Sequence, residues 1–138
     1  MTIGQIEDRL AKTITSFYHQ TIGYGPKETH VRILSDMIIV RLKGQLLPLE
    51  KELLKDKKGI DLVKNIHELM HEAFTTQIGL LVKKITKCRV ISSHSDVSTK
   101  TEEMIEIFIL EQDYESQFKN HIIKNQTIKH KGKTPNLA

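Results

Sequence analysis

The sequence predicts an α+β fold in two layers: one four-stranded antiparallel sheet made of two hairpins, with helices packed on a face. Three observations predict it. Apolar residues recur at helical spacing near the start of the chain and again over a long central stretch. Between and after these stretches they alternate in two pairs of short runs, the period of strands. The length of 138 residues is that of a single domain and is enough to bury roughly two-thirds of the surface the unfolded chain exposes, so no disulfide or metal is needed to hold a core. The predicted order is α-β-β-α-α-β-β-α.

The first helix is predicted from about Ile3 to Thr21, on the stripe Ile3, Ile6, Leu10, Ile14 and Phe17. Gly23 supplies a stop and Pro26 forbids resumption. Two strands follow, with Thr29, Val31 and Ile33 on one and Ile38, Val40 and Leu42 on the other; Ser35-Asp36 suits a tight hairpin between them. Pro48 and Glu50 open a short helix to about Asp56, punctuated by Gly59. A long helix is predicted from about Ile60 to Thr86, burying Val63, Ile66, Met70, Phe74, Gln77, Leu81 and Ile85. Its C-terminal end carries Lys83, Lys84 and Lys87, where the helix dipole favours cations.

The second strand pair is predicted as a short run, Arg89 to Ser92, and a long one, Met104 to Leu110. The long run is apolar on both faces, Ile105, Ile107 and Ile109 on one and Met104, Phe108 and Leu110 on the other, with Glu106 the sole interruption. Such a strand is expected to be covered on both sides, by the helices and by a partner subunit or the C-terminal segment. Tyr114, Phe118 and Ile122 give a narrow helical stripe, and beyond Thr127 no core pattern remains. The expected organisation is one domain over 1–111, then a helical extension and a basic, disordered tail over 112–138.

Charge is unevenly placed. Residues 119–138 hold five lysines and no acid, which leaves −1 on the rest of a chain whose net charge is +4. A pI of 9.1 thus describes a near-neutral body with a basic tail and does not argue for a nucleic-acid-binding body. Cys88 is the single cysteine, which excludes an internal disulfide and a cysteine-based zinc site. Glu7 and Asp8 stand where a signal peptide needs apolar residues, and apolar runs such as 37–40 fall far short of the ~20 residues of a membrane span. A cytoplasmic location is expected.

Several stretches together form a recognisable series. Gly23-Tyr24-Gly25-Pro26 follows the first helix. The run 37–44 leads into Leu47-Pro48-Leu49-Glu50-Lys51, and Gly59 and Val63 open the long helix. Val90, Ser95-Asp96 and the run 107–111 close the body. In this order and spacing they resemble the bacterial MpsC family, over residues 3 to 111. The resemblance implies an accessory protein of a sodium-translocating, membrane-potential-generating system that also has a membrane subunit and a large soluble subunit. It implies docking peripheral to the membrane and carries over no catalytic residues and no cofactor.

Four motifs invite sharper readings. His67-Glu68-Leu69-Met70-His71 is a literal HExxH on a helix, the pattern in which two His one turn apart hold zinc and the Glu activates water. Lys64 and Glu72 intrude on it, only His94 and Asp96 offer a third ligand, and helical phase sets His67 in the apolar stripe with Glu68 outward. We read it as a His tucked into helix packing beside a solvated neighbour. Ser92-Ser93-His94-Ser95-Asp96 holds the residue types of a triad, but triads assemble from distant segments, and a loop shaped by Asp96 is the plainer reading. Gly23-Tyr24-Gly25-Pro26 is a turn at a helix C-terminus, with Tyr24 and Gly25 available for contact. The tail lysines, Lys119, Lys124, Lys129, Lys131 and Lys133, lack interleaved aromatics and suit at most weak binding of nucleic acid or anionic lipid.

The sequence therefore points to a non-enzymatic accessory or interaction protein, a homodimer by virtue of the doubly apolar strand 104–110. Tyr24, Gly25, Asp96, Met104 and Phe108 are its candidate contact residues. The alternatives are a zinc-dependent hydrolase through His67 and His71, and nucleic-acid or lipid binding by the tail.

Overall fold

The computed structural model of the chain describes residues 1–119. Helix α1 spans Ile3–Ile22 and buries Ile6, Leu10, Ile14 and Tyr18, one side chain per turn. Each such burial contributes roughly 1.5–3 kcal/mol, which is why the stripe, more than helix propensity, fixes the element. Thr2 and Gln5 close a reciprocal capping box at its start, and Gly23 ends it with a left-handed φ of 73°.

Strands β1 (Glu28–Leu34) and β2 (Met37–Lys43) pair in register from Glu28↔Lys43 to Leu34↔Met37 around the two-residue Ser35-Asp36 turn. Helix α2 covers only Pro48–Leu53, and α3 starts earlier than expected and runs Lys57–Thr86. The expected break at Gly59 is absent. Asp56 caps α3 by accepting the Gly59 N–H at 2.8 Å, and a Cβ on Gly59 would fall inside the Leu53 carbonyl. Gly59 is therefore a point of close approach between α2 and α3 rather than a stop.

Helix α3 also differs in phase. Its buried residues are Val63, His67, Ile78, Val82 and Thr86, with Met70, Phe74 and Ile85 partly buried, whereas Gln77 is exposed. The face turned to the sheet is rotated from the one that apolar spacing alone selects.

Strand β3 spans Val90–Ser98, so it runs past the expected end at Ser92, and the stretch 93–96 expected to form a loop is strand. Its pairing with β4 (Glu103–Leu110), with an irregularity between Val90 and Ser92, supplies ladder bonds that override the poor strand propensity of its serines. The sheet order is β1-β2-β4-β3, all antiparallel. A last helix, α4, starts at residue 114 and is described through 119, with Tyr114 buried and Phe118 packed on the core. The order is α-β-β-α-α-β-β-α, as the sequence predicts.

The main core lies between α1, α3 and one face of the sheet. Val31, Val40, Ile33, Ile38, Met104 and Phe108 point into it. A smaller cluster of Leu46, Val63 and Val97 packs under α2.

Candidate functional site

Strand alternation fixes two sheet faces. On the inner face, Val40 pairs with Glu106 and Glu106 with Ser95, which carries a carboxylate into the core. Glu106 is 1% exposed. The Tyr18 hydroxyl on α1 donates to its Oε1 at 2.6 Å, while its Oε2 has no partner among the described residues. Burial pushes the Glu106 carboxyl up to about 7, partly opposed by the Tyr18 hydrogen bond and nearby His67. Tyr18 is raised well above the usual phenol range by burial and then by Glu106.

A second buried pair lies under α2. His67 Nε2 sits 2.8 Å from Glu50 Oε2, and these side chains are only 4% and 3% exposed. Glu50 Oε1 also accepts the Leu47 N–H at 3.0 Å. Burial alone would raise the Glu50 carboxyl, but the His67 and Leu47 hydrogen bonds hold it below the ordinary carboxylate value. Gln45, buried at 1%, has neither side-chain amide atom partnered among the described residues.

This geometry takes apart the HExxH. His67 Nε2 is bonded to Glu50, while its Nδ1 has no partner among the described residues. The His71 Nε2 lies 3.3 Å from Ser93 Oγ on β3, and Ser93 also bonds Thr75. Glu68 is exposed and cannot activate water at a buried His67. Among the described residues no three His, Cys, Asp or Glu side chains are grouped to hold a metal ion.

The Ser/His/Asp stretch is likewise dispersed by its strand. His94 and Asp96 point to the outer face, and Ser93 and Ser95 to the inner one. Asp96 does make the local bond expected of it, accepting the Val97 N–H at 2.9 Å, but within β3 rather than a turn. Burial and then Glu111 raise the thiol of buried Cys88, the wrong direction for a nucleophile.

The remaining candidates separate by exposure. Gly25 is buried, with the His19 ring where a side chain would project, and Tyr24 is half-buried beside it. Met104 and Phe108, expected as contact residues, are at 1% and 0% exposure under the helices. The even-numbered side of β4 points inward, so the outer face falls to Ile105, Ile107 and Ile109. Lys119 is paired with Glu115 at 3.5 Å. Lys124, Lys129, Lys131 and Lys133, and the disorder expected of the tail, lie outside the described residues.

The outer face is the one broad unpaired apolar surface of the described sheet. Leu34, Met37 and Ile109 form one row, Ile39 and Ile107 the next, and Ile105 sits beside Arg41 in the third. Leu34 is 50% and Ile105 42% exposed. Arg32 and Arg41 flank the strip on one side, His94 and Asp96 on the other, and Arg41 is bonded to Glu103. No helix of the described chain is long and apolar enough to cross a membrane.

Residues 2–112, which take in all seven elements from α1 to β4, match the family model described as "Na+-translocating membrane potential-generating system (MpsC)". The chain belongs to the MpsC family. It is 35% identical over 112 residues to the uncharacterized protein YbcI of Bacillus subtilis (strain 168), an alignment covering 81% of this chain and 90% of that relative. No solved structure matches it significantly. The MpsC match thus includes both buried pairs and the whole outer face, and stops before α4.

Two features of this site were missed in the sequence. The Glu50–His67 pair left no local signal, since its members lie 17 residues apart. Glu106 did leave one, as a lone acid in an apolar strand, but nothing marked Tyr18 as its partner.

Proposed function

We propose that this chain is a non-enzymatic accessory protein that docks, by the outer face of its sheet, on a protein subunit of a cation-translocating, membrane-potential-generating system. The observation that carries this reading is the aliphatic strip of Leu34, Met37, Ile39, Ile105, Ile107 and Ile109, in which Leu34 and Ile105 are exposed and the other four half-buried. An exposed apolar patch rimmed by charge is the usual mark of a protein interaction site. The fate of the chemistry-bearing side chains supports the same reading, because His67 is bonded to Glu50 and Glu106 to Tyr18. The family description supplies the kind of system.

The test is co-expression of the full chain with the membrane subunit and the large soluble subunit of such a system from one organism. Co-purification is expected for the natural chain and is lost in Ile107→Glu, whose circular dichroism stays unchanged. Failure of the natural chain to co-purify, or retention by Ile107→Glu, overturns the reading.

A further inference from the structure

Helix α3 has a second apolar side. Leu62, Leu69 and Leu80 are 48%, 65% and 63% exposed. They are spaced by seven and eleven residues, close to two and three full turns, so they fall on one line with exposed Ala73. The line is roughly opposite His67, Phe74 and Ile78, which face the core. It extends ~27 Å at 1.5 Å per residue.

The line matches itself when reversed. Set against an antiparallel copy of α3, Leu62 meets Leu80 and Leu69 meets Ala73, and each pairing occurs twice about a two-fold axis. The two ends also differ in a complementary way. Beside Leu62 lies a groove of about 610 Å³ walled by Leu53 and Gly59, with Glu52, Asp56 and Asp61 against Lys55 and Lys58. Lys55 is already paired with Glu52 at 2.9 Å. Beside Leu80, Ile91 is 59% exposed, and Lys83 and Arg89 line an adjoining hollow, Arg89 being paired with Glu111 at 3.4 Å. Reversal therefore sets exposed Leu80 and Ile91, with Lys83 beside them, against the groove, whose lining holds one acid more than it holds lysines. The helix dipoles also run opposed.

We infer that this chain forms a two-fold homodimer through antiparallel α3 helices, with Leu62, Leu69 and Leu80 as its seam. The interface is isologous, so each groove faces the partner's Leu80 and the assembly closes at two copies. Glu72 approaches its own copy on an exposed flank, a like-charge contact that solvent largely screens. The seam is distinct from the outer sheet face and leaves that face free.

The test uses the full chain in sedimentation equilibrium over a concentration series. A dimer is expected for the natural chain and for Ile107→Glu. Leu69→Glu and Leu80→Glu are each expected to raise the dissociation constant about 30-fold or more, the loss typical of a central interface side chain. Their circular dichroism should be unchanged, because both positions are exposed. On mild oxidation, Leu62→Cys mixed with Leu80→Cys is expected to give a mixed disulfide, and neither variant alone to cross-link. A natural chain that is monomeric throughout, a dimer that survives Leu69→Glu, or self-cross-linking of Leu62→Cys overturns the inference. So does a monomer that binds anionic vesicles through the same leucines, which would make the occupant a lipid surface.

Discussion

The Tyr18 hydroxyl and the Glu106 carboxylate, 88 positions apart in sequence, share a buried hydrogen bond of 2.6 Å between α1 and β4. It lies where the helical layer meets the centre of the sheet. One Glu106 oxygen is satisfied and the other is not, so the fold keeps a carboxyl group whose ionisation is resisted by burial.

Stability should fall as pH rises through neutrality. The Glu106 carboxyl is raised in the folded state to about 7, from an ordinary value of 4.5. Between those values the folded chain holds a proton that the unfolded chain has lost. Its contribution is full below the unfolded value and is lost as pH rises through the folded one, by roughly 3 kcal/mol in all. Urea unfolding of the natural chain and of Glu106→Gln at pH 5 and pH 8 checks this. The variant should lose most of the difference, and equal slopes in the two proteins would refute the assignment.

Removing the Tyr18 hydroxyl leaves both Glu106 oxygens bare. Tyr18→Phe is expected to cost about 1–3 kcal/mol, the penalty of an unpaired buried acceptor. In a double-mutant cycle with Glu106→Gln, the two changes should be non-additive by at least about 0.5 kcal/mol.

The Glu50–His67 pair acts with the opposite sign. The Glu50 carboxyl is lowered in the folded state, so its contribution is present above the ordinary value and is lost as pH falls through the folded one. His67→Ala strands a buried carboxylate and should destabilise by about 3–5 kcal/mol, whereas replacing both members by Leu should recover much of the loss. Exposed Glu68→Gln should stay within about 0.5 kcal/mol of the natural chain. The measurement is again chemical unfolding at pH 7, with far-UV circular dichroism.

Gly59→Ala probes the junction of α2 and α3. Alanine normally favours a helix over glycine, yet here the added carbon has no space beside the Leu53 carbonyl. Destabilisation of about 1–3 kcal/mol is expected, read as a lowered thermal midpoint. Gly79→Ala is the control: it is in the same helix, and a Cβ there meets Val90 at an ordinary 3.7 Å, so it should be neutral or stabilising.

Local periodicity determined much of this protein. The stripe Ile6, Leu10, Ile14 made α1, the alternation about Val31, Val40 and Phe108 made three strands, and Gly23 ended a helix, each a relation within a few residues. The phase of His67 toward the core and of Glu68 away from it was legible for the same reason. Tertiary structure decided what periodicity cannot encode. It turned 93–96 into edge strand by lending it the ladder of β4, and rotated the buried face of α3 so that Gln77 lies outside. It paired Tyr18 with Glu106 and His67 with Glu50, and it left Leu62, Leu69 and Leu80 facing outward. The partner of a buried polar group such as Glu106 or His67 is set by the packing of distant elements, which no local window contains.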